Sequence, residues 1–242
     1  GSGSDLASLK TIATDKGDYF LVNGQKTWTT LGQHANKIFC LVKTDTKCKP
    51  QEGISFLLID INSSGVEVKP IITLDGEHEV NEVWLTDVKV PKENLLGELN
   101  KGWTYAKYLL THERTGIAGV PYSKSAIDHL KKIASNINKN GLPLIKDPIF
   151  SSQIAELEID INAMEIFNLR TVSATSEGKA PVMESSLLKI KGSTIRQKTC
   201  DLLRKAIGPM ALPYISEQFD EGWNEEPIGP EYAGQIAKKY FI

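Results

Sequence analysis

A change in hydrophobic period near residue 97 constrains this chain more than any single motif. Before it, segments 19–22, 26–30, 38–42, 54–59, 66–70 and 82–90 read as strands, rich in β-branched and aromatic residues and separated by turn residues. Alternation is clearest in Glu82-Val83-Trp84-Leu85-Thr86. The Asn23-Gly24 dipeptide predicts a tight hairpin, because both central residues of a type I′ turn need positive φ. Such strands bury one face by packing as an antiparallel barrel or sandwich. After Pro91 and Gly97 the period becomes 3.6, with Trp103, Ala106, Leu109, Leu110, Ile117, Ile127, Leu130 and Ile133 at helical spacings. The stretch 138–148 is polar and turn-rich, and Asp147-Pro148 then supplies an N-cap followed by proline at the first helical position. A second long helix is predicted from there to about Glu177, with Phe150, Ile154, Leu157, Ile161, Met164 and Phe167 on one stripe. A third runs from about Val182 to Ile207 and stops at Gly208-Pro209, leaving 210–242 as loops with short helical pieces. The fold class predicted is α+β: an antiparallel β-barrel or sandwich domain over 1–97, then an antiparallel helical bundle domain over 98–242. Amphipathic faces wider than one stripe favour a partner subunit on the second face, hence an oligomer.

Composition narrows the function classes. A formal charge of −2 on 242 residues argues against a phosphate-neutralising surface, so no nucleic acid is expected as partner. Three scattered cysteines, Cys40, Cys48 and Cys200, suit a reducing compartment better than a disulfide framework. No apolar run approaches the ~20 residues of a membrane-spanning helix, and no charged-then-apolar leader opens the chain, so the expectation is a soluble intracellular protein with no membrane span. His34, His78, His112 and His129 lack the spacing of a metal site, and neither a Gly-rich phosphate loop nor a G-x-S-x-G nucleophile elbow is present. The Gly76-Glu77-His78-Glu79 cluster reads as a solvated turn.

The run Asn23-Gly24-Gln25-Lys26-Thr27-Trp28-Thr29-Thr30 carries the most chemistry. On a strand, Trp28 and Thr30 project to the same face, offering an apolar wall and a hydrogen bond to one ligand, although ordinary sheet surface carries such pairs too. The run resembles the acyl-CoA dehydrogenase signature N-G-x-K-x-W-[IT]-[TS]. Other matches follow in order. Gly3-Ser4-Asp5-Leu6 resembles the end of the family's E-P-x-[AS]-G-S-D-[LV] loop, with Gly1-Ser2 before it reading equally as a cloning remnant. Asp87-Val88-Lys89-Val90-Pro91 with Asn94-Leu95-Leu96-Gly97 resembles the family's interdomain link, Gly102-Trp103 its next helix start, and Glu113-Arg114 with Ile117-Ala118 its E-R-x-x-[IL]-A segment. One departure stands out: where many members carry R-x-x-F-G, whose arginine reaches the flavin pyrophosphate of a neighbouring subunit, this chain has 140–148 in the form G-x-P-L-x-x-D-P. Lys146 or Arg170 are the substitutes in sequence.

The resemblance implies FAD as cofactor and flavin-dependent α,β-dehydrogenation of an acyl-CoA substrate, with electrons passed to an electron-transfer flavoprotein. It implies cofactor contacts from Gly3, Ser4, Trp28, Thr29 and Thr30, and substrate contacts from Ser4 and Arg114, which could equally be a surface ion-pair residue. Glu113 matches the base position of a few members; in most, the base lies in a C-terminal Y-G-G-x-x-E segment, and Glu113 is then a solvated helix carboxylate. A homodimer or homotetramer in a bacterial cytoplasm, or a mitochondrial matrix in a eukaryote, is implied as well. The rivals are an acyl-CoA oxidase or flavin monooxygenase on the same scaffold, and a non-catalytic partner subunit of a heteromer. The family's N-terminal helical domain and last C-terminal segment are absent from the matched region, so a truncated form is expected, with its hold on FAD and its activity open.

Overall fold

The computed structural model describes residues 3–113, 116, 118–178, 182–213, 215, 217, 222–226, 228–230 and 233–234, with the side chains of 111–113 and 182 outside that description. The chain is α+β and forms two units, Gly1–Leu110 and Thr111–Ile242.

In the first unit, β1 (Ile12–Asp15), β2 (Tyr19–Thr30), β3 (Lys37–Lys43), β4 (Ile54–Asp60), β5 (Val66–Ile71) and β6 (Val80–Pro91) make one sheet in the order β4-β3-β1-β2-β6-β5. Pairing is antiparallel throughout, except that β1 and β3 run parallel and meet only at Ile12 and Lys43. Sequence patterning misses β1 because only one of its four residues, Ala13, is buried, too little to show a period. The hairpin predicted at Asn23-Gly24 does not form: β2 passes straight through the dipeptide and pairs along its length with β6. An Asn-Gly turn forms instead at Asn140-Gly141, where φ is 56° and 81° between the two-residue strands β7 (Asn138–Lys139) and β8 (Leu142–Pro143). Both dipeptides carry the same local preference; the long pairing partner available to β2 decides the first case.

Two bulges let the long strands keep one face in the core. Val22 pairs with Val88 and Gly24 with Leu85, so Asn23 stands against both Thr86 and Asp87. The extra residue, Asp87, has φ 51° and flips the alternation of β6, so that Val83 and Leu85 on one side of it and Val88 and Val90 on the other are all buried. They pack with Phe20, Val22, Cys40, Val42, Leu57 and Ile59 into the core of this unit. Near its end, Asn100 donates its N–H to Ser55 Oγ (2.8 Å) and its Oδ1 accepts from Thr44 Oγ1 (2.5 Å). Gly102, which opens α1 (Gly102–Glu113), lies so close to β4 that a Cβ would stand 2.7 Å from the Ser55 carbonyl carbon.

In the second unit, α2 (Val120–Asn136), α3 (Pro148–Ser176) and α4 (Val182–Ile207) bury one apolar face each around Ile127, Leu130, Ile154, Leu157, Ile161, Leu188 and Ile195. Ile117 lies outside the described residues. Asp147 caps α3 as expected, accepting from the N–H groups of Ile149 (2.9 Å) and Phe150 (3.0 Å). Gly208, at φ 68°, follows the last residue of α4. Salt bridges Lys124–Glu165 (2.6 Å) and Lys191–Asp160 (2.7 Å) staple α2 and α4 to α3. Among the described residues no helix is long and apolar enough to cross a membrane.

Candidate functional site

Most of the run from Asn23 to Thr30 is architecture. Asn23 holds the Asp87 bulge with paired bonds: its Nδ2 donates to Asp87 Oδ1 and its Oδ1 accepts from the Asp87 N–H, both at 2.9 Å. Gly24 has φ 147°, and a Cβ there would meet the Thr11 backbone at 2.7 Å, so only glycine fits. The Gln25 carbonyl accepts from Thr11 Oγ1 (3.3 Å). Lys26 reaches past the end of the short β1 to donate from Nζ to the Leu41 carbonyl of β3 (2.6 Å), closing the gap between β2 and β3. Burial of the neighbouring Cys40 thiol pushes its pKa up, keeping it an unreactive core sulfur.

At Trp28 the strand changes character. Lys26 pairs with Val83 and Thr29 with Asn81, so Thr27 and Trp28 stand against the single residue Glu82. Trp28 sits in the left-handed region at φ 66°, unusual for a bulky side chain, and 65% of it is exposed. Plain alternation, from which a shared face for Trp28 and Thr30 is expected, is therefore interrupted between Lys26 and Thr29, and the bulge sets how the two are presented. β1 pairs only with Phe20 to Asn23, so among the described residues no strand pairs with the other edge of β2 along Lys26 to Thr30. An exposed indole beside an open strand edge suits a flat ring system with hydrogen-bonding atoms along one side, and the isoalloxazine of FAD fits that description.

The other expected residues are placed less tightly. Gly3 and Ser4 are exposed in a bend, and among the described residues no hydrogen bond ties them to Trp28, Thr29 or Thr30. Glu113 ends α1 with its side chain outside the described residues, and Arg114 lies outside them altogether. Lys146 and Arg170 are both exposed. A cavity of about 510 Å³ in the helical unit is lined instead by Lys139 and Lys205, with Ile137, Leu144 and Phe150 as its apolar wall. Both lysines have acidic neighbours, Lys139 with Asp147 at 3.9 Å and Lys205 with Asp201 at 2.7 Å. Hydrogen bonds from Lys205 and Arg204 hold the Asp201 carboxyl below the usual range. The solvated turn expected at 76–79 is exposed, yet one of its residues serves the structure, since His78 bonds the buried Asn81. Gln33, His78 and Asn81 form a hydrogen-bonded cluster on the Thr29 carbonyl that the sequence reading missed. The signal available was Asn81 itself, a polar residue at an inward position in the alternation with Val83 and Leu85.

Comparisons with known proteins identify the family of both units. The acyl-CoA dehydrogenase middle-domain family model matches residues 1–88, and the acyl-CoA dehydrogenase C-terminal-domain model matches residues 100–235. Acyl-CoA dehydrogenase FadE29 of Mycobacterium tuberculosis is 30% identical over 212 residues, which cover 88% of this chain and 54% of the relative. The caffeyl-CoA reductase–Etf complex subunit CarC of Acetobacterium woodii is 31% identical over 209 residues, covering 83% of this chain and 54% of the relative. A chain of the solved ChsE4–ChsE5 complex of Mycobacterium tuberculosis superposes with a TM-score of 0.83 at 27% identity, covering 99% of this chain and 59% of that one. The chain thus spans about half the length of the curated relatives it matches.

Proposed function

The chain belongs to the acyl-CoA dehydrogenase family, and from that premise we propose that it is the middle and helical part of an FAD-dependent enzyme that desaturates an acyl-CoA thioester between its α and β carbons. The observation that carries this reading is the Trp28 bulge: an exposed indole held at positive φ beside an open strand edge, within the residues that match the family signature. FAD bound there would supply the hydride acceptor for the β carbon. Trp28 would wall its ring, and the Thr29–Thr30 edge would supply hydrogen bonds to it. Ser4 and Arg114 hold the thioester, and Glu113 takes the α-proton; these three roles rest on the family resemblance. A thioester α-proton is too weakly acidic for a carboxylate near neutral pH unless hydrogen bonds stabilise the enolate-like charge and the base is desolvated. The division at residues 97 and 98 belongs to the same proposal and is supported by the separate matches to 1–88 and 100–235.

Two further elements concern partners. An electron-transfer flavoprotein as electron acceptor is supported by the relative from Acetobacterium woodii, a subunit of an Etf complex. A homodimer or homotetramer is supported by exposed apolar residues on α3 (Ile159, Ile166, Leu169) and α4 (Met183, Leu187, Ile190). A second reading, a partner subunit in a heteromer, is favoured by the 138–148 segment, where the short β7–β8 hairpin stands in place of R-x-x-F-G. The test is to incubate the purified chain with FAD, remove free flavin and record the visible spectrum, then add acyl-CoA without oxygen. Retained flavin that bleaches with acyl-CoA and is reoxidised by electron-transfer flavoprotein faster than by oxygen is expected. Retained flavin reoxidised fastest by oxygen points to an oxidase, and no retained flavin overturns the enzyme reading for the chain alone.

A further inference from the structure

The residue after Trp28, Thr29, is held through its carbonyl by a hydrogen-bonded ring that its own strand does not supply. Asn81 on β6 is fully buried, and a polar group in that position must find partners. Its Nδ2 donates to the Thr29 carbonyl (3.1 Å) and to Gln33 Oε1 (2.7 Å). Its Oδ1 lies 2.7 Å from His78 Nε2, and Gln33 Nε2 donates to the His78 carbonyl (3.1 Å). Main-chain carbonyls only accept, so both amides have one consistent orientation, and His78 carries a proton on Nε2. Three side chains from three segments close a cycle.

The cycle grips both ends of a strained stretch. Thr29, whose carbonyl it holds, is where the register with β6 resumes after Trp28. Leu31, at φ 52°, starts the turn that carries Gln33, and its N–H donates to the Glu79 carbonyl (2.7 Å). Gly32, next along that turn, is buried, and a Cβ there would stand 3.2 Å from Asn81 Nδ2. Two non-glycine residues at positive φ within four positions persist only where their surroundings over-determine them. The ladder pairs Thr29 with Asn81 and Thr30 with Val80 would hold an ordinary extended strand equally well, so they do not select the bulged form.

We propose that Asn81 is a positioning residue: through Thr29, Gln33 and His78 it fixes the stretch from Trp28 to Leu31 in the form that meets the cofactor. The role presupposes that FAD binds at Trp28–Thr30. Asn81→Asp keeps the size and the Oδ1 acceptor but removes the donors to Thr29 and Gln33. His78→Leu, at an exposed position, opens the cycle without entering the core, and His78→Gln returns an N–H donor there. On the full chain, FAD affinity is expected to fall about tenfold in Asn81→Asp, less in His78→Leu, and to recover in His78→Gln. Amide exchange should quicken over residues 27–34 while the helical unit is unchanged. Wild-type affinity and exchange in Asn81→Asp overturn the proposal. So does faster exchange spread through the whole β unit with no recovery in His78→Gln, which marks a residue of stability alone. If the wild-type chain retains no FAD, the cofactor reading fails, and exchange over 27–34 decides the role of Asn81: faster exchange confined there supports it, unchanged exchange overturns it.

Discussion

Replacing Trp28 by alanine and, separately, by glycine turns the strain at the bulge into a measurable sign. Both substitutions remove the same ring, of which about a third is buried, so the burial lost is common to the pair and cancels in the comparison. What remains is the backbone. At φ 66° an alanine pays ~1–2 kcal/mol for the contact of its Cβ with the following carbonyl, and glycine has no such contact. Glycine loses about 0.5–1 kcal/mol through its greater freedom in the unfolded chain. The difference leaves Trp28→Gly more stable than Trp28→Ala by about 0.5–1 kcal/mol. At Thr30, two residues along the same strand and not at positive φ, the order reverses, with alanine ahead by about 0.5–1 kcal/mol. Urea unfolding followed by far-UV circular dichroism reads all four variants from midpoint and slope. If alanine is ahead of glycine at position 28 by the margin found at position 30, Trp28 is an ordinary strand residue, and its presentation by a strained bulge is refuted.

Asn23→Ala removes the two 2.9 Å bonds that support Asp87 at φ 51°, and should cost about 1 kcal/mol in urea midpoint stability with the slope unchanged. Asp147 is held below the ordinary carboxylate range, first by the Phe150 N–H and further by that of Ile149, at the start of α3. A depressed folded pKa gives stability that is complete above the unfolded value and lost as pH falls through the folded one. Asp147→Ala should therefore lower Tm at about pH 6, with the gap to wild type closing below about pH 4; a gap that persists there rules out the carboxylate cap as its source. Ile166→Asp or Ile190→Asp, on the exposed apolar faces of α3 and α4, should shift the chain toward monomer in light scattering, and an unchanged mass would remove those faces from the interface.

The parts of the fold legible in sequence are those with a sustained period. The stripe from Phe150 to Met164 is the buried face of α3, and the Asp147-Pro148 start is its cap, because helix burial and capping are local decisions. Asn23-Gly24 misleads for a physical reason: turn preference is worth little against nine pairs with the twelve-residue β6, and Gly24 is there to admit Thr11. The bulges at Trp28 and Asp87 leave no mark in a count of alternating residues, since each depends on what the partner strand presents. Asn81 is the instructive case. Its inward position could be read from the alternation, but its partners Thr29, Gln33 and His78 come from separate segments, and only the fold joins them.

The same separation bears on what the signature means. Asn23, Gly24, Gln25 and Lys26 each serve pairing, close approach or the gap left by β1, while Thr27, Trp28 and Thr30 in the second half are exposed. A match to the first half of the run is therefore a statement about how this sheet is built. On the proposed function, chemistry rests on the second half, where an exposed indole is held at positive φ. A variant in which Trp28 and Thr30 are both replaced should keep the sheet and lose FAD, whereas changing Gly24 should damage the sheet first and FAD binding only as a result. That order of loss separates a scaffold residue from a site residue within a single motif of eight.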